Sequence, residues 1–272
     1  MEKKNIDWSN LGFGYVKTDY RFVSDFKDGK WDEGKMTQDD KVVISECAGV
    51  LQYAQTIFEG MKAYTTQDGR IVTFRPDLNA SRMADSARRL EMPVFPEDRF
   101  VEAVVKTIKA NAAYVPPYGS GATLYIRPYT VRSNPVIGVK PADEYQFRIF
   151  TTPVGPYFKG GVKPLTIRVS DFDRAAPHGT GHIKAGLNYA MSLHAIVDAH
   201  QQGYDEKHVS GRSYQNKSRR NRRRQLPVYY KRRKSCHTEI RQYSSFHYPP
   251  LSYVCSKRIS WTGSGRTGGI PG

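Results

Sequence analysis

Up to Glu206 the chain carries apolar residues at the spacings that helices and strands require. Beyond Glu206 that patterning stops, so a hydrophobic core has to come from the first three quarters of the sequence. Charge divides at the same place. Residues 207–272 hold 16 of the 42 Lys and Arg residues but one of the 26 acids, Glu239, which leaves residues 1–206 with 26 bases against 25 acids. All but one unit of the net charge of +16 therefore belongs to one segment, and it does not mark the whole chain as a specific nucleic-acid binder. Cys47, Cys236 and Cys255 lack the spacing of a zinc site or a disulfide framework. No run of 18 apolar residues occurs, and the opening MEKKNIDWSNLGFGY lacks the apolar centre of a secretion signal. A soluble cytoplasmic protein with no metal and no membrane partner is expected.

Within the first 206 residues, KVVISE and GRIVTF read as strands, and FVEAVVKTIKANAAYV reads as a helix that puts Phe100, Val101, Val104, Val105 and Ile108 on one face. Three more strand-like runs follow, ATLYIRPYTV, YQFRIFTTPV and LTIRVSD, then a helix from about Lys184 to Gln202 stopped by Gly203. The Gly- and Pro-rich GPYFKGGVKP between the second and third of these runs suits a connection between domains. The expected fold class is α/β, or α+β in two domains: a small N-terminal α/β domain over 1–155, a connection and the start of a second domain over 156–206, and a disordered tail over 207–272.

The stretch with most chemical content is HGTGHIKAGLNYAMSLHA. A Gly-rich turn followed by a lysine that opens an apolar helix places an amine where burial and the helix N-terminus both favour its neutral, nucleophilic form. A surface lysine at a helix start is the ordinary alternative on spacing alone.

That stretch, together with GFGYVKTDY, LQYAQTIFEGMKAY, FRPDLNASRMADSARRLEMP, LYIRPYTV and TTPVGPYF, resembles the branched-chain amino acid aminotransferases. These are pyridoxal phosphate enzymes of fold type IV, the D-amino acid aminotransferase-like fold, and the resemblance runs through nearly all of residues 10–206. It implies transamination of Val, Leu and Ile with 2-oxoglutarate, pyridoxal 5′-phosphate as cofactor, and a homodimer. Lys184 matches the lysine that forms the Schiff base with the cofactor and then moves the proton at Cα. Tyr189 matches the tyrosine at the cofactor's phenolic oxygen, and Arg82 the arginine that holds its phosphate. Tyr125 and Arg127 match residues that recognise the substrate carboxylate. Phe13, Tyr53, Phe58 and Tyr157 match an aromatic wall around the branched side chain. Without the resemblance, Arg82 would pass for a solvated helix residue and the aromatics for core. Glu59, in FEGMKAY, marks the motif and receives no chemical role. D-amino acid aminotransferases and aminodeoxychorismate lyases share the fold and stand as alternatives.

The resemblance ends at DAHQQGYDE. There the family continues with a segment of the kind MYLD…TRTKVEETGGANF, whose glutamate pairs with the cofactor's pyridine nitrogen, whereas this chain runs on into NKSRRNRRRQLPVYYKRRK. Joining the last two bases of each permitted codon from Lys207 onward to the first base of the next yields NMYLDAPTRTKVEETGGANFPFITKDGKV, which is family-like. The codon at Arg220 then overlaps the one for that glutamate. One extra A after the Glu206 codon would produce the shift, so the large domain is expected to be incomplete in this chain and the chain itself inactive or nearly so. A selected basic arm for single-stranded nucleic acid is the reading from another class, and such an arm would not also decode into an enzyme domain. Resequencing codons 204–210 decides the point: one A fewer restores the frame and the intact enzyme, and an unchanged count makes the shift genuine.

Overall fold

The computed structural model describes residues 2–156, 164–170, 172–176 and 178–210, and the short strands at 218–221, 228–229 and 235–236. The chain divides into two compact units, Met1–Pro164 with Ile183–Ala190, and Leu165–His182 with the residues from Met191 onward. Among the described residues no helix is long and apolar enough to cross a membrane.

The first unit is built on an antiparallel sheet. In chain order its elements are β1 (Arg21–Lys27), β2 (Lys30–Trp31), β3 (Lys35–Thr37), α1 (Gly49–Tyr53), β4 (Thr56–Phe58), β5 (Met61–Thr65), β6 (Ile71–Thr73), α2 (Pro76–Arg89), α3 (Glu97–Ala110), β7 (Thr123–Arg132), β8 (Tyr145–Val154) and α4 (Gly186–Ala190). The strand order is β2-β1-β8-β7-β5-β6, with β3 also on β1 and β4 also on β7. The ten-residue ladder of β7 with β8 sets the two faces. Leu124 and Ile126 on β7, with Phe147 and Ile149 on β8, are fully buried in one core with residues of α2 and α3. Phe95 stacks on Phe147 at 4.0 Å in that core. Because side chains alternate along a strand, Tyr125, Arg127 and Tyr129 point to the opposite face, in register with Thr152, Phe150 and Arg148.

The expected helix near Phe100 is α3, and its buried residues are Phe100, Ala103, Val104, Thr107 and Ile108. Val105, expected inside, is exposed, since five residues past Phe100 lies on the outer side of a helix of about 3.6 residues per turn. KVVISE is not a strand: it runs outside the sheet with Val42 and Val43 exposed, so its apolar residues had no ladder or core to join. The expected boundary near residue 155 also moves. The first unit continues to Pro164 and includes Ile183–Ala190, because Ala185 bridges Ile57 and the Phe58 N–H donates to the Lys184 carbonyl at 3.1 Å.

In the second unit, β9 (Ile167–Ser170) runs parallel to β10 (Glu206–Ser210), and α5 (Leu193–Gln201) makes the crossover that a parallel pair requires. Arg168 and Asp198 pair at 2.7 Å, tying β9 to α5. The single helix expected over 184–202 is thus two helices, interrupted at Met191 and Ser192, where the Ser192 carbonyl accepts Lys207 Nζ. Gly203, with φ of +79°, ends α5 as expected. Disorder from residue 207 is corrected as well: β10 buries Lys207, His208 and Val209, and burial lowers the pKa of His208. Backbone pairing continues to β11 (Ser218–Asn221) on β10, and β12 (Val228–Tyr229) pairs with β13 (Ser235–Cys236). The rest of the expected disordered tail lies outside the described residues.

α2 is the element that matters most for the site. Pro76 and Asp77 open it, and Arg88 and Arg89 close it, which complements the helix dipole at both ends. Its inner face carries Asn79, Arg82 and Ser86 among small apolar residues. Arg82 grips Glu59, which sits between β4 and β5 and is closed to solvent, through Nε to Oε1 at 2.7 Å and Nη2 to Oε2 at 2.5 Å. Asn79 Nδ2 adds a third bond to Oε2 at 2.8 Å. The Glu59 N–H donates to the Pro128 carbonyl at 2.7 Å, so one residue joins α2 to β7. Removing one partner of such a pair strands a buried charge, and Glu59→Ala is expected to cost about 3–5 kcal/mol, whereas replacing both Glu59 and Arg82 by Met should recover most of it. Urea unfolding midpoints of the single and double variants check this.

Candidate active site

Lys184 is held by its main chain on both sides. Its N–H donates to Ser86 Oγ of α2 at 3.1 Å, and its carbonyl accepts the Phe58 N–H at the end of β4. Asn188 Nδ2 reaches back to the Ile183 carbonyl at 3.1 Å, fixing the turn that leads into α4. With the backbone fixed, the amine meets the next turn of chain: Lys184 Nζ lies 2.8 Å from the hydroxyl of Tyr189. Both groups lie against the ring of Phe58, with Nζ 4.7 Å from its centroid and the Tyr189 ring 4.9 Å away.

The same Phe58 ring meets Arg127, whose Cζ is 4.6 Å from its centroid. Arg127 Nη2 donates to the Tyr125 hydroxyl at 2.9 Å. Tyr125 in turn depends on Gly60, where a Cβ would fall 2.1 Å from the phenolic oxygen. The Nε of Arg127 is closed to solvent and meets no acceptor among the described residues. A buried cationic donor left in that condition is costly, and an incoming anion would relieve the cost.

Arg82 lies deeper. Burial opposes its charge, but hydrogen bonding and charge from Glu59, with smaller contributions from Tyr189 and Tyr125, hold its pKa above the ordinary arginine value. Glu59 takes two of its five N–H donors, Nε and one on Nη2.

The structure therefore gathers Lys184, Tyr189 and Arg127 around the ring of Phe58, with Tyr125 on Arg127 and Arg82 on the neighbouring Glu59. Of the other expected wall residues, Phe13 is half exposed on the N-terminal segment. Tyr53 is exposed at the end of α1, with its hydroxyl donating to the Ile137 carbonyl. Tyr157 lies outside the described residues. Sequence reasoning gave Glu59 no role and passed over Ser86. The available signal was the Asn79–Arg82–Ser86 spacing, which puts three polar residues on the inner face of an otherwise apolar helix.

Residues 56–209, which hold most of these groups, match the family model for amino-transferase class IV. A branched-chain-amino-acid aminotransferase of Haemophilus influenzae is 51% identical over 211 residues, a match that covers 78% of this chain and 62% of that protein. The chain thus spans less than two thirds of that relative's length. The crystal structure of the Escherichia coli branched-chain amino acid aminotransferase superposes with a TM-score of 0.59 at 26% identity, over 72% of this chain and 61% of that one. A branched-chain amino acid aminotransferase from Thermobaculum terrenum, solved in its PLP form, shares the fold with a TM-score of 0.57 at 20% identity, over 72% and 60% of the two chains. With a family model matched over more than half its length, the chain belongs to the class IV aminotransferases.

Proposed function

We propose that the gene encodes a transaminase for branched-chain L-amino acids, with pyridoxal 5′-phosphate as cofactor and 2-oxoglutarate as amino acceptor, and that Lys184 carries the reaction. The observation behind this reading is the amine–phenol pair of Lys184 and Tyr189, 2.8 Å apart against Phe58. The aldehyde and hydroxyl of pyridoxal 5′-phosphate sit on adjacent ring carbons, so an adjacent amine and phenol suit both. The H. influenzae relative and the E. coli neighbour, both named for this activity, support the choice of substrate.

Each side chain then has a task. Lys184 would hold the cofactor through its amine, and that amine, when free, would take the proton from the substrate Cα and deliver it to the cofactor carbon that had carried the aldehyde. Tyr189 orients the amine and would donate to the cofactor's phenolic oxygen. Arg127, with Tyr125 fixing its plane, receives the substrate carboxylate, the anion that its buried Nε lacks. Phe58 offers apolar surface to a branched side chain, worth about 25 cal/mol for each Å² covered. Arg82 is the candidate for the phosphate, by the motif it stands in. Bound there, the cofactor supplies the electron sink, and the chain supplies position and charge.

The reading extends to the tail: residues from 207 onward are proposed to be a displaced frame of the rest of the enzyme. The frame-restored protein is expected to transaminate Val, Leu and Ile, and the 272-residue chain to do so weakly or not at all. A coupled glutamate assay of both proteins checks this, and equal activity in the two would remove the frame proposal. In the restored protein, Lys184→Ala should abolish turnover, and Arg127→Gln should raise KM by about tenfold or more through loss of a charge-assisted hydrogen bond. Activity in Lys184→Ala close to that of the unaltered protein would overturn the assignment.

A further inference from the structure

Around Lys184 the bonds close into a ring. The Lys184 N–H donates to Ser86 Oγ at 3.1 Å, and the Ser86 hydroxyl donates to the Arg82 carbonyl at 2.9 Å, one turn back along α2. The Arg82 guanidinium grips Glu59. Glu59 follows Phe58, whose N–H returns to the Lys184 carbonyl at 3.1 Å. Ser86 is 1% exposed, and its one hydroxyl serves as donor and acceptor at once. Within this ring it is the side chain that bonds the lysine's main chain, while Phe58 lies against the amine.

We infer that Ser86 is a positioning residue for Lys184: its hydroxyl locks the lysine backbone to the helix that carries Arg82, and so holds the amine against Tyr189. The inference rests on the reading of Lys184 as the cofactor-bearing amine. A serine in mid-helix that bonds back to the carbonyl four residues earlier has used its proton, so its oxygen presents lone pairs outward. The Lys184 N–H would otherwise be a helix-entry donor without a partner, and a lysine side chain on a loose backbone would sample many rotamers. Fixing the backbone narrows that range to those that reach the Tyr189 hydroxyl. The arrangement also ties the amine to the Glu59–Arg82 pair without direct contact between them.

The test uses the full 272-residue chain with Ser86→Ala, which removes the oxygen, Ser86→Cys, which keeps a weaker acceptor of similar shape, and Ser86→Thr, which keeps the hydroxyl. Two quantities are read at Lys184: hydrogen exchange of its amide, and the yield of its amine trapped by borohydride with pyridoxal 5′-phosphate, located by mass spectrometry. For Ser86→Ala, amide exchange is expected to rise and trapping to fall by roughly five- to tenfold each, the loss of one buried hydrogen bond, while exchange in β7 and β8 stays unchanged. Ser86→Cys should fall between, and Ser86→Thr should stay near the unaltered chain. Faster amide exchange with unchanged trapping would make Ser86 merely structural and overturn the inference, as would no change in either quantity. Should Ser86→Ala not fold, Ser86→Cys against Ser86→Thr carries the same comparison. The frame-restored protein is the control: trapping there at other lysines and not at Lys184 would remove the cofactor reading, and the inference with it.

Discussion

The carboxylate of Glu59 is closed to solvent, and the face of the first unit that carries Lys184 is arranged around that fact. Three side-chain donors converge on it, two from Arg82 and one from Asn79, so α2 can dock on the sheet in one rotation. With that rotation set, Ser86 faces Lys184 and Ala80, Met83 and Ala87 join the core. A purely apolar helix face could slide or turn on its bed at little cost, whereas a buried ion pair tolerates no such freedom because a misplaced charge has no substitute partner. The pair therefore adds orientation more than net stability.

The sheet does the complementary job. β4 and β5 lie end to end along the same edge of β7, and the Glu59–Gly60 turn fills the gap between them. Pro128 sits opposite that gap, where its carbonyl takes the Glu59 N–H, so the proline interrupts no needed donor on that side. Phe58, Tyr125 and Arg127 come together because the end of one strand meets the middle of another at this point.

Much of this was legible in the sequence where periodicity and burial coincide. β8 spans the ten residues of its apolar run, and β7 differs from its run by one residue at each end. The lysine, its tyrosine partner and the arginine strand were legible through motif resemblance. KVVISE misled because β-branched residues describe a preference that only a neighbouring strand can realise. The 184–202 helix was read as one because nothing local marks Ser192 as a break; there a carbonyl that accepts the Ile196 N–H also accepts Lys207 Nζ, from fifteen residues on. Glu59 was opaque for a related reason. A single acid after an apolar pair looks like a strand end, and its three side-chain hydrogen bonds come from Asn79 and Arg82, 20 and 23 residues away. The basic tail was legible as a change in charge balance, yet β10 shows that composition alone did not bar Lys207 and His208 from a strand.

β7 also sets a limit on how the gene can vary. Its alternate residues stand about 6.8 Å apart on each face. Tyr125, Arg127 and Tyr129 are thus graduated along one side, and Leu124 and Ile126 along the other. A single codon gained or lost ahead of Tyr125 would exchange the two sides downstream, driving a guanidinium into the phenylalanine cluster and leaving isoleucine facing the lysine. Length polymorphism among natural variants should therefore collect in segments such as 133–144 and be missing from the ten residues of this strand.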